Sequence, residues 1–99
     1  MDISSPIEDG LTGSAMLENQ VGLHARPSVK LTQLAKRYQS RIDFALAPDG
    51  PWTDAKSPVK VMRVKAPKGA TLHFRVAGPD EAEALTAVLG LVREKFGED

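Results

Sequence analysis

The chain has 99 residues, no cysteine, and 13 acidic against 13 basic side chains. A chain of this length forms one domain around one core, the absence of cysteine excludes disulfides and thiolate metal sites, and the balanced charge argues against nucleic-acid binding. No apolar run approaches the roughly 20 residues of a spanning helix, and the N-terminus lacks a signal-peptide pattern. The sequence therefore predicts a cytoplasmic protein with no membrane insertion.

The first predicted elements are a strand and a helix. Residues 1–13 show no periodicity and are expected to form a flexible N-terminal extension, followed by one domain over 14–99 and a short strand over 14–17. Pro27 favours the first turn of a helix, because its missing N–H would have no intrahelical partner there, so the helix should begin close to His24. Apolar side chains then recur at helical spacing at Leu31, Leu34, Ala35 and Tyr38.

The middle of the chain predicts two strands and a short helix. Ile42, Phe44 and Leu46 alternate with Asp43 and Ala45, which is typical of a half-buried strand. A short return strand is expected over 52–55. Ser57 is a favoured N-cap and Pro58 a favoured first helical residue, so a helix of about two turns should run through Val64.

The last part of the chain predicts a strand followed by a helix. Alternation places Leu72, Phe74 and Val76 on one side of the strand and His73 on the other, where it should be a solvated strand residue. The pair Asp80 and Glu83 resembles a capping box at the start of a helix whose apolar stripe continues to Phe96, with Gly97 closing it. The element order β-α-β-β-α-β-α predicts an α+β domain in which helices cover one face of a largely antiparallel sheet.

The start of the first helix is the candidate functional site. Backbone N–H groups in the first turn, over Ala25, Arg26, Pro27 and Ser28, point at whatever lies in front of them, and the helix dipole adds partial positive charge. Arg26 adds a full charge. Histidine is not a favoured N-cap residue, and the His24 imidazole could accept a phosphoryl group whose charge, roughly −2 near neutral pH, would meet these donors. The alternative is that His24 is an ordinary polar loop residue.

Three segments of the chain resemble one protein family. The stretch Gly22–Pro27 (G-L-H-A-R-P) resembles the active-site signature of the HPr family, the histidine-containing phosphocarrier proteins of the bacterial phosphotransferase system. Ala55–Ser57 followed by Val61 and Met62 resembles the second signature of that family. The last strand and helix of the family are matched at Gly69–Thr71, Ala77–Gly78 and Asp80–Leu85. The resemblance runs from about residue 14 to 96.

The resemblance implies a fold and a reaction. The fold would be an open-faced β-sandwich of the HPr type, a four-stranded, largely antiparallel sheet covered on one face by three helices. His24 would accept a phosphoryl group at Nδ1 from phosphorylated Enzyme I, itself charged by phosphoenolpyruvate, with Arg26 as the charge partner of the phosphate. It would then pass the group to an enzyme IIA-type domain. No cofactor and no metal are expected, since the sequence contains neither a metal-ligand cluster nor a cofactor fingerprint.

The same resemblance implies a docking face and a regulatory site around the short helix. Pro58, Val61 and Met62, at spacings i, i+3 and i+4, would contact partner proteins, with the alternative that Val61 only seals the core. Ser57 matches a serine that a dedicated kinase phosphorylates in some bacteria, so a serine kinase is a possible partner. The alternative for Ser57 is the N-cap role alone. Pro58 stands where an aliphatic residue is more usual in the family, which could hinder such a kinase.

Three other functions stay open at the level of sequence. A nitrogen-type regulatory phosphorelay, like that of NPr proteins, would use the same histidine and fold without coupling to sugar transport. A stand-alone phosphotransfer enzyme is disfavoured because no P-loop and no spaced acidic metal pair occur. A non-phosphorylated α+β binding module, for RNA for example, is disfavoured by the balanced charge and by the lack of an aromatic-rich strand motif.

Overall fold

A computed structural model of the chain describes residues 10–98. The elements in chain order are β1 (Leu11–Met16), α1 (Ala25–Ala35), β2 (Arg41–Ala45), β3 (Thr53–Asp54), α2 (Pro58–Val64), β4 (Thr71–Ala77), α3 (Glu81–Arg93) and a short 3₁₀ helix (Lys95–Gly97). The predicted order of strands and helices is thus confirmed. No helix among residues 10–98 is long and apolar enough to cross a membrane.

The four strands form one antiparallel sheet in the order β1-β4-β2-β3. α3 packs against β1 and β4, and α1 packs against both α2 and α3, so the helices form a layer on one face of the sheet. The core lies between the two layers, and its largest fully buried side chains include Phe44, Phe74, Phe96, Leu17, Leu23 and Leu31. This arrangement is the open-faced α+β sandwich that the sequence predicts.

The predicted alternation holds in β4 but not in β2. In β4 every second residue is buried, as expected. In β2 the alternate residues Asp43 and Ala45 are also buried, each only 3% exposed, whereas Leu46 lies beyond the strand and is exposed. The reason is a covering layer on the second face, where Arg75 Nε donates to the Asp43 carboxylate at 3.2 Å and the Arg75 guanidinium lies 4.4 Å from the centre of the Trp52 ring. A strand with both faces covered loses the alternation typical of one open face.

The first strand begins earlier than predicted. Leu11–Met16 pair with β4, so residues 11–13 of the expected extension are part of the sheet. Gly13 in this strand lets α3 approach closely, because a Cβ atom there would lie 2.8 Å from Leu89 Cδ1. A glycine that falls within the expected extension therefore serves helix-to-sheet packing. Residues 1–9 of the expected extension lie outside the described residues.

The two ends of α3 also differ from expectation. Asp80 is the N-cap residue, but its side chain makes no capping hydrogen bond. Instead the Asp80 carboxylate accepts hydrogen bonds from the backbone N–H of Gln39 at 3.0 Å and of Ser40 at 2.9 Å, and also from the Ser40 hydroxyl. At the other end α3 stops at Arg93. Phe96 therefore belongs to the 3₁₀ helix that follows, where it has a left-handed conformation with φ 57° and its side chain is buried in the core.

Candidate functional site

His24 is the N-cap residue of α1, and its side chain is exposed. Its backbone is extended, with φ −81° and ψ −167°, and the imidazole makes no capping hydrogen bond. The ring is therefore not used to satisfy the helix start. Histidine at a position where Ser, Thr, Asp or Asn would cap better leaves a nucleophilic side chain in solvent at the positive end of a helix dipole.

A fixed turn holds His24 in this place. Asn19 is buried, and its Nδ2 donates to the Gly22 carbonyl at 2.7 Å, while Gly22 N–H donates to the Asn19 carbonyl at 3.2 Å. Leu23 N–H donates to the Ala66 carbonyl at 2.8 Å, which ties the turn to the connection after α2. Gly22 has φ +67°, and a Cβ atom there would lie 2.5 Å from the Ala66 oxygen, so only glycine fits.

The first turn of α1 has fewer backbone N–H groups without an acceptor than its sequence predicts. Ser28 N–H donates to the His24 carbonyl at 2.9 Å, and its hydroxyl donates to the Leu23 carbonyl at 3.3 Å. Ser28 and Pro27 are buried, and proline has no N–H. The N–H groups of Ala25 and Arg26 are the ones without an intrahelical acceptor. Of the four predicted first-turn residues, only Ala25 and Arg26 thus present a backbone donor to a group on His24.

The Arg26 side chain is already engaged with a carboxylate. It is 77% exposed, and its Nη1 lies 3.2 Å from Glu98 Oε1. The other oxygen of Glu98 accepts from Lys30 Nζ at 2.6 Å, and Lys30 also donates to the Phe96 carbonyl at 2.7 Å. The hydrogen bond from Lys30, together with the charges of Lys30 and Arg26, holds the pKa of the Glu98 carboxyl below its usual value. Arg26 is near the site, but its charge is shared with Glu98.

His24 borders a cleft between the start of α1 and the end of α2. The cleft has a volume of about 380 Å³ and is lined by Leu23, His24, Ala25, Met62 and Lys65. Lys65 is the C-cap residue of α2. The sequence does not indicate Lys65 as a site residue, because its only signal is a basic residue after a short predicted helix. Among the described residues, no group of three or more His, Asp or Glu side chains is placed to hold a metal ion.

The exposed apolar surface of α2 differs from the predicted docking face. Val61 is fully buried in the core, so its alternative role of sealing the core is confirmed and its expected contact with partners is wrong. Pro58 and Met62 are exposed, as expected. Val59, which is not part of the predicted docking face, is 59% exposed. In a helix of two turns that begins at a proline, apolar spacing alone did not establish which side faces the core.

The other two polar candidates have defined surroundings. Ser57 is the N-cap of α2, and its hydroxyl accepts from Lys60 N–H at 3.4 Å. The predicted N-cap role is therefore confirmed. His73 is half-buried in β4 and lines a separate cleft with Trp52 and Arg75, on the face of the sheet opposite the helices. His24 is the histidine that lies at a helix start.

Comparison with known proteins gives a consistent result. Residues 12–94 match the family model described as "PTS HPr component phosphorylation site". The chain is 45% identical over 80 residues to phosphocarrier protein HPr of Cupriavidus necator, covering 81% of this chain and 88% of that protein. It is 32% identical to phosphocarrier protein NPr of Klebsiella oxytoca, covering 84% and 91%. The crystal structure of HPr-C-His from Thermoanaerobacter tengcongensis superposes with a TM-score of 0.81 at 31% identity, covering 90% and 98%.

Proposed function

Because this chain belongs to the HPr family of phosphocarrier proteins, we propose that His24 accepts a phosphoryl group from phosphorylated Enzyme I and donates it to an enzyme IIA-type domain. The observation that carries the proposal is the exposed imidazole at the N-cap of α1, which takes no part in capping. A carrier needs a nucleophile that two larger proteins can reach in turn. The proposed place of action is the cytoplasm.

The transfer exchanges one bond for another. A ring nitrogen of His24 forms a bond to phosphorus while the bond between phosphorus and the donor breaks, and the reverse exchange takes place with the acceptor. The new negative charge would meet the N–H groups of Ala25 and Arg26 and the positive end of the α1 dipole. Each such contact contributes about 0.3–1 kcal/mol at an exposed site. A stabilisation of this size suits a carrier, because a tightly held phosphoryl group would not be released to the acceptor.

The exposed surface of α2, which reaches the His24 cleft at Met62, suits docking of acidic partners. Val59 and Met62 are exposed on α2, and Lys60 and Arg63 on the same helix are exposed as well. Transient signalling contacts bury less than about 1,200 Å² in total, so a few apolar side chains with a basic rim would suffice. A phosphate on Ser57 would add negative charge beside this surface and repel acidic partners. Regulation by a serine kinase is therefore part of the proposal.

A regulatory phosphorelay is the second candidate function. The NPr relative from Klebsiella oxytoca shares 32% identity with this chain over nearly its whole length. HPr relatives reach 45%, which favours the carrier of sugar uptake. The two functions use the same first step and differ in the acceptor. Transfer of the phosphoryl group from the loaded protein to purified IIA domains of the sugar type and of the nitrogen type, compared side by side, distinguishes them.

The test of the first step compares three proteins. Wild type, His24→Ala and His73→Ala are incubated with phosphoenolpyruvate, with and without Enzyme I. We expect acid-labile phosphate on wild type and on His73→Ala only when Enzyme I is present, and none on His24→Ala. Phosphate on the His24→Ala protein, or phosphate that survives acid as a serine ester does, would overturn the proposal. Labelling without Enzyme I would instead indicate a stand-alone enzyme.

A further inference from the structure

We propose that Lys65 is a second cation of the phosphoryl site, with its ammonium group contacting the phosphoryl group on His24. This inference rests on the proposed function and assigns a residue to it from outside the first turn of α1. Its basis is the joint position of Lys65 and His24 in one cleft, the free charge of the lysine, and its backbone conformation.

The first observation is the position of Lys65. It lines the cleft beside His24 together with Leu23, Ala25 and Met62. The hydrogen bond of 2.8 Å from Leu23 N–H to the Ala66 carbonyl joins the two residues adjacent to His24 and Lys65 in the chain. This bond fixes the end of α2 against the turn before α1. A lysine side chain has four carbons between Cα and the ammonium, so it can follow a phosphoryl group without any change in the backbone.

The second observation is that the charge of Lys65 is available. Within residues 10–98, no carboxylate lies within ion-pair distance of its ammonium, and the side chain is exposed. Arg26, in contrast, lies 3.2 Å from a carboxylate oxygen of Glu98. An incoming phosphoryl group would compete with Glu98 for Arg26 but would meet Lys65 unopposed.

The third observation is the backbone of Lys65. It has φ 52° and ψ 43°, the left-handed conformation that commonly follows a helix and that glycine adopts without strain. A residue with a Cβ atom pays for this conformation, and such residues are found preferentially at functional sites. A chain that needed only to end α2 here would do so at lower cost with glycine. The lysine side chain is therefore expected to serve the site rather than the fold.

The test separates charge from structure with four variants. Lys65→Met removes the ammonium, Lys65→Arg keeps a positive charge, and Lys65→Gly removes the side chain while relieving the backbone. Lys36→Met is the matched control, since Lys36 is also an exposed C-cap residue but lies at the other end of α1 from His24. Each protein is loaded with Enzyme I and phosphoenolpyruvate. The single-turnover rate of His24 phosphorylation by phosphorylated Enzyme I, the ³¹P NMR titration of the phosphohistidine and the thermal unfolding midpoint are then measured.

The expected results differ from those of a structural residue. Lys65→Met and Lys65→Gly should slow phosphorylation of His24 by Enzyme I roughly threefold to fivefold, the size of one exposed charge contact, and should raise the pKa of the bound phosphoryl group. Lys65→Arg and Lys36→Met should behave as wild type in the titration. Lys65→Gly should also unfold a few degrees higher, so stability and transfer would change in opposite directions.

Three other outcomes would each overturn either the role of Lys65 or the proposed function. An unchanged titration and rate in Lys65→Met, with wild type fully phosphorylated, would overturn the inference and leave the proposed function standing. A slower transfer with an unchanged ³¹P titration would also overturn it, because Lys65 would then contact the partner protein and not the phosphoryl group. Wild type that takes no phosphate on His24 would overturn the proposed function itself.

Discussion

Truncation of Val61 and of Val59 to alanine should have opposite consequences, although the two valines lie two positions apart on α2. Val61 is fully buried and Val59 is 59% exposed. Val61→Ala removes two buried methyl groups, worth about 0.8 kcal/mol each, and the small cavity left behind adds about 0.5 kcal/mol. We expect a loss of about 2 kcal/mol in the free energy of unfolding, or about 10 °C in the melting temperature of a domain this size.

Val59→Ala serves as the matched control and tests the docking surface at the same time. Its effect on stability should stay within about 0.5 kcal/mol, because the side chain is largely in solvent. Loss of an apolar contact in a small interface should instead raise the KM for phosphoryl transfer from Enzyme I, by about fivefold for roughly 1 kcal/mol. Met62→Ala should resemble Val59→Ala. Denaturant unfolding and steady-state transfer kinetics, measured on the same preparations, provide both readouts.

An exchange of these effects between the two valines would refute the placement of Val61 in the core and of Val59 on the docking surface. A Val61→Ala protein with wild-type stability and a raised KM would mean that α2 is rotated about its axis, so that Val61 faces partner proteins and not the core. Equal and small effects from both variants would mean that partners do not use the exposed side of α2. In that case the docking surface would have to lie along α1.

The remaining predictions concern the turns around the site and the carboxylates that support the fold. Hydrogen bonds, first from the Ser40 hydroxyl and then from the Gln39 amide, lower the pKa of the Asp80 carboxyl. A lowered folded-state pKa gives stability that is present above about pH 4 and is lost as the pH falls through the folded value. The difference in unfolding free energy between wild type and Asp80→Asn should therefore be largest near pH 7 and should disappear below pH 4. Denaturant unfolding across this pH range measures the difference, and a difference that does not change with pH would contradict the prediction. Gly22→Ala should slow phosphoryl transfer and lower stability by about 1–2 kcal/mol, given the left-handed conformation and the close approach of the Ala66 carbonyl; wild-type kinetics in this variant would refute the requirement for glycine. Glu98→Gln should speed phosphorylation of His24 about twofold to threefold in single-turnover assays, because it frees Arg26, whereas a slower reaction would mean that Glu98 holds Arg26 in a useful position.

The sequence predicted the elements whose signals are local. Ser57 followed by Pro58 placed the start of α2, and alternation placed the buried residues of β4, because each signal depends on neighbours in the chain. Local patterns do not predict the burial of Asp43, since it depends on Arg75 in β4 and on Trp52 in the connection before β3. They also do not predict the role of Asp80, whose carboxylate accepts hydrogen bonds from the connection between α1 and β2 instead of capping its own helix. Patterns along the chain do not show which distant group competes for a side chain.

The same distinction between local and distant signals applies to the site, and it explains why the sequence does not indicate Lys65. His24, Ala25 and Arg26 are consecutive, so one helix start is enough to relate them, and a proline nearby indicates that start. Lys65 reaches the same cleft only because the turn at Gly22 packs against the connection after α2 and Leu23 bonds to Ala66. A cation that arrives from a second element can be altered without disturbing the helix that holds the nucleophile. The chain can thereby tune how strongly a phosphoryl group is held while the start of α1 stays unchanged.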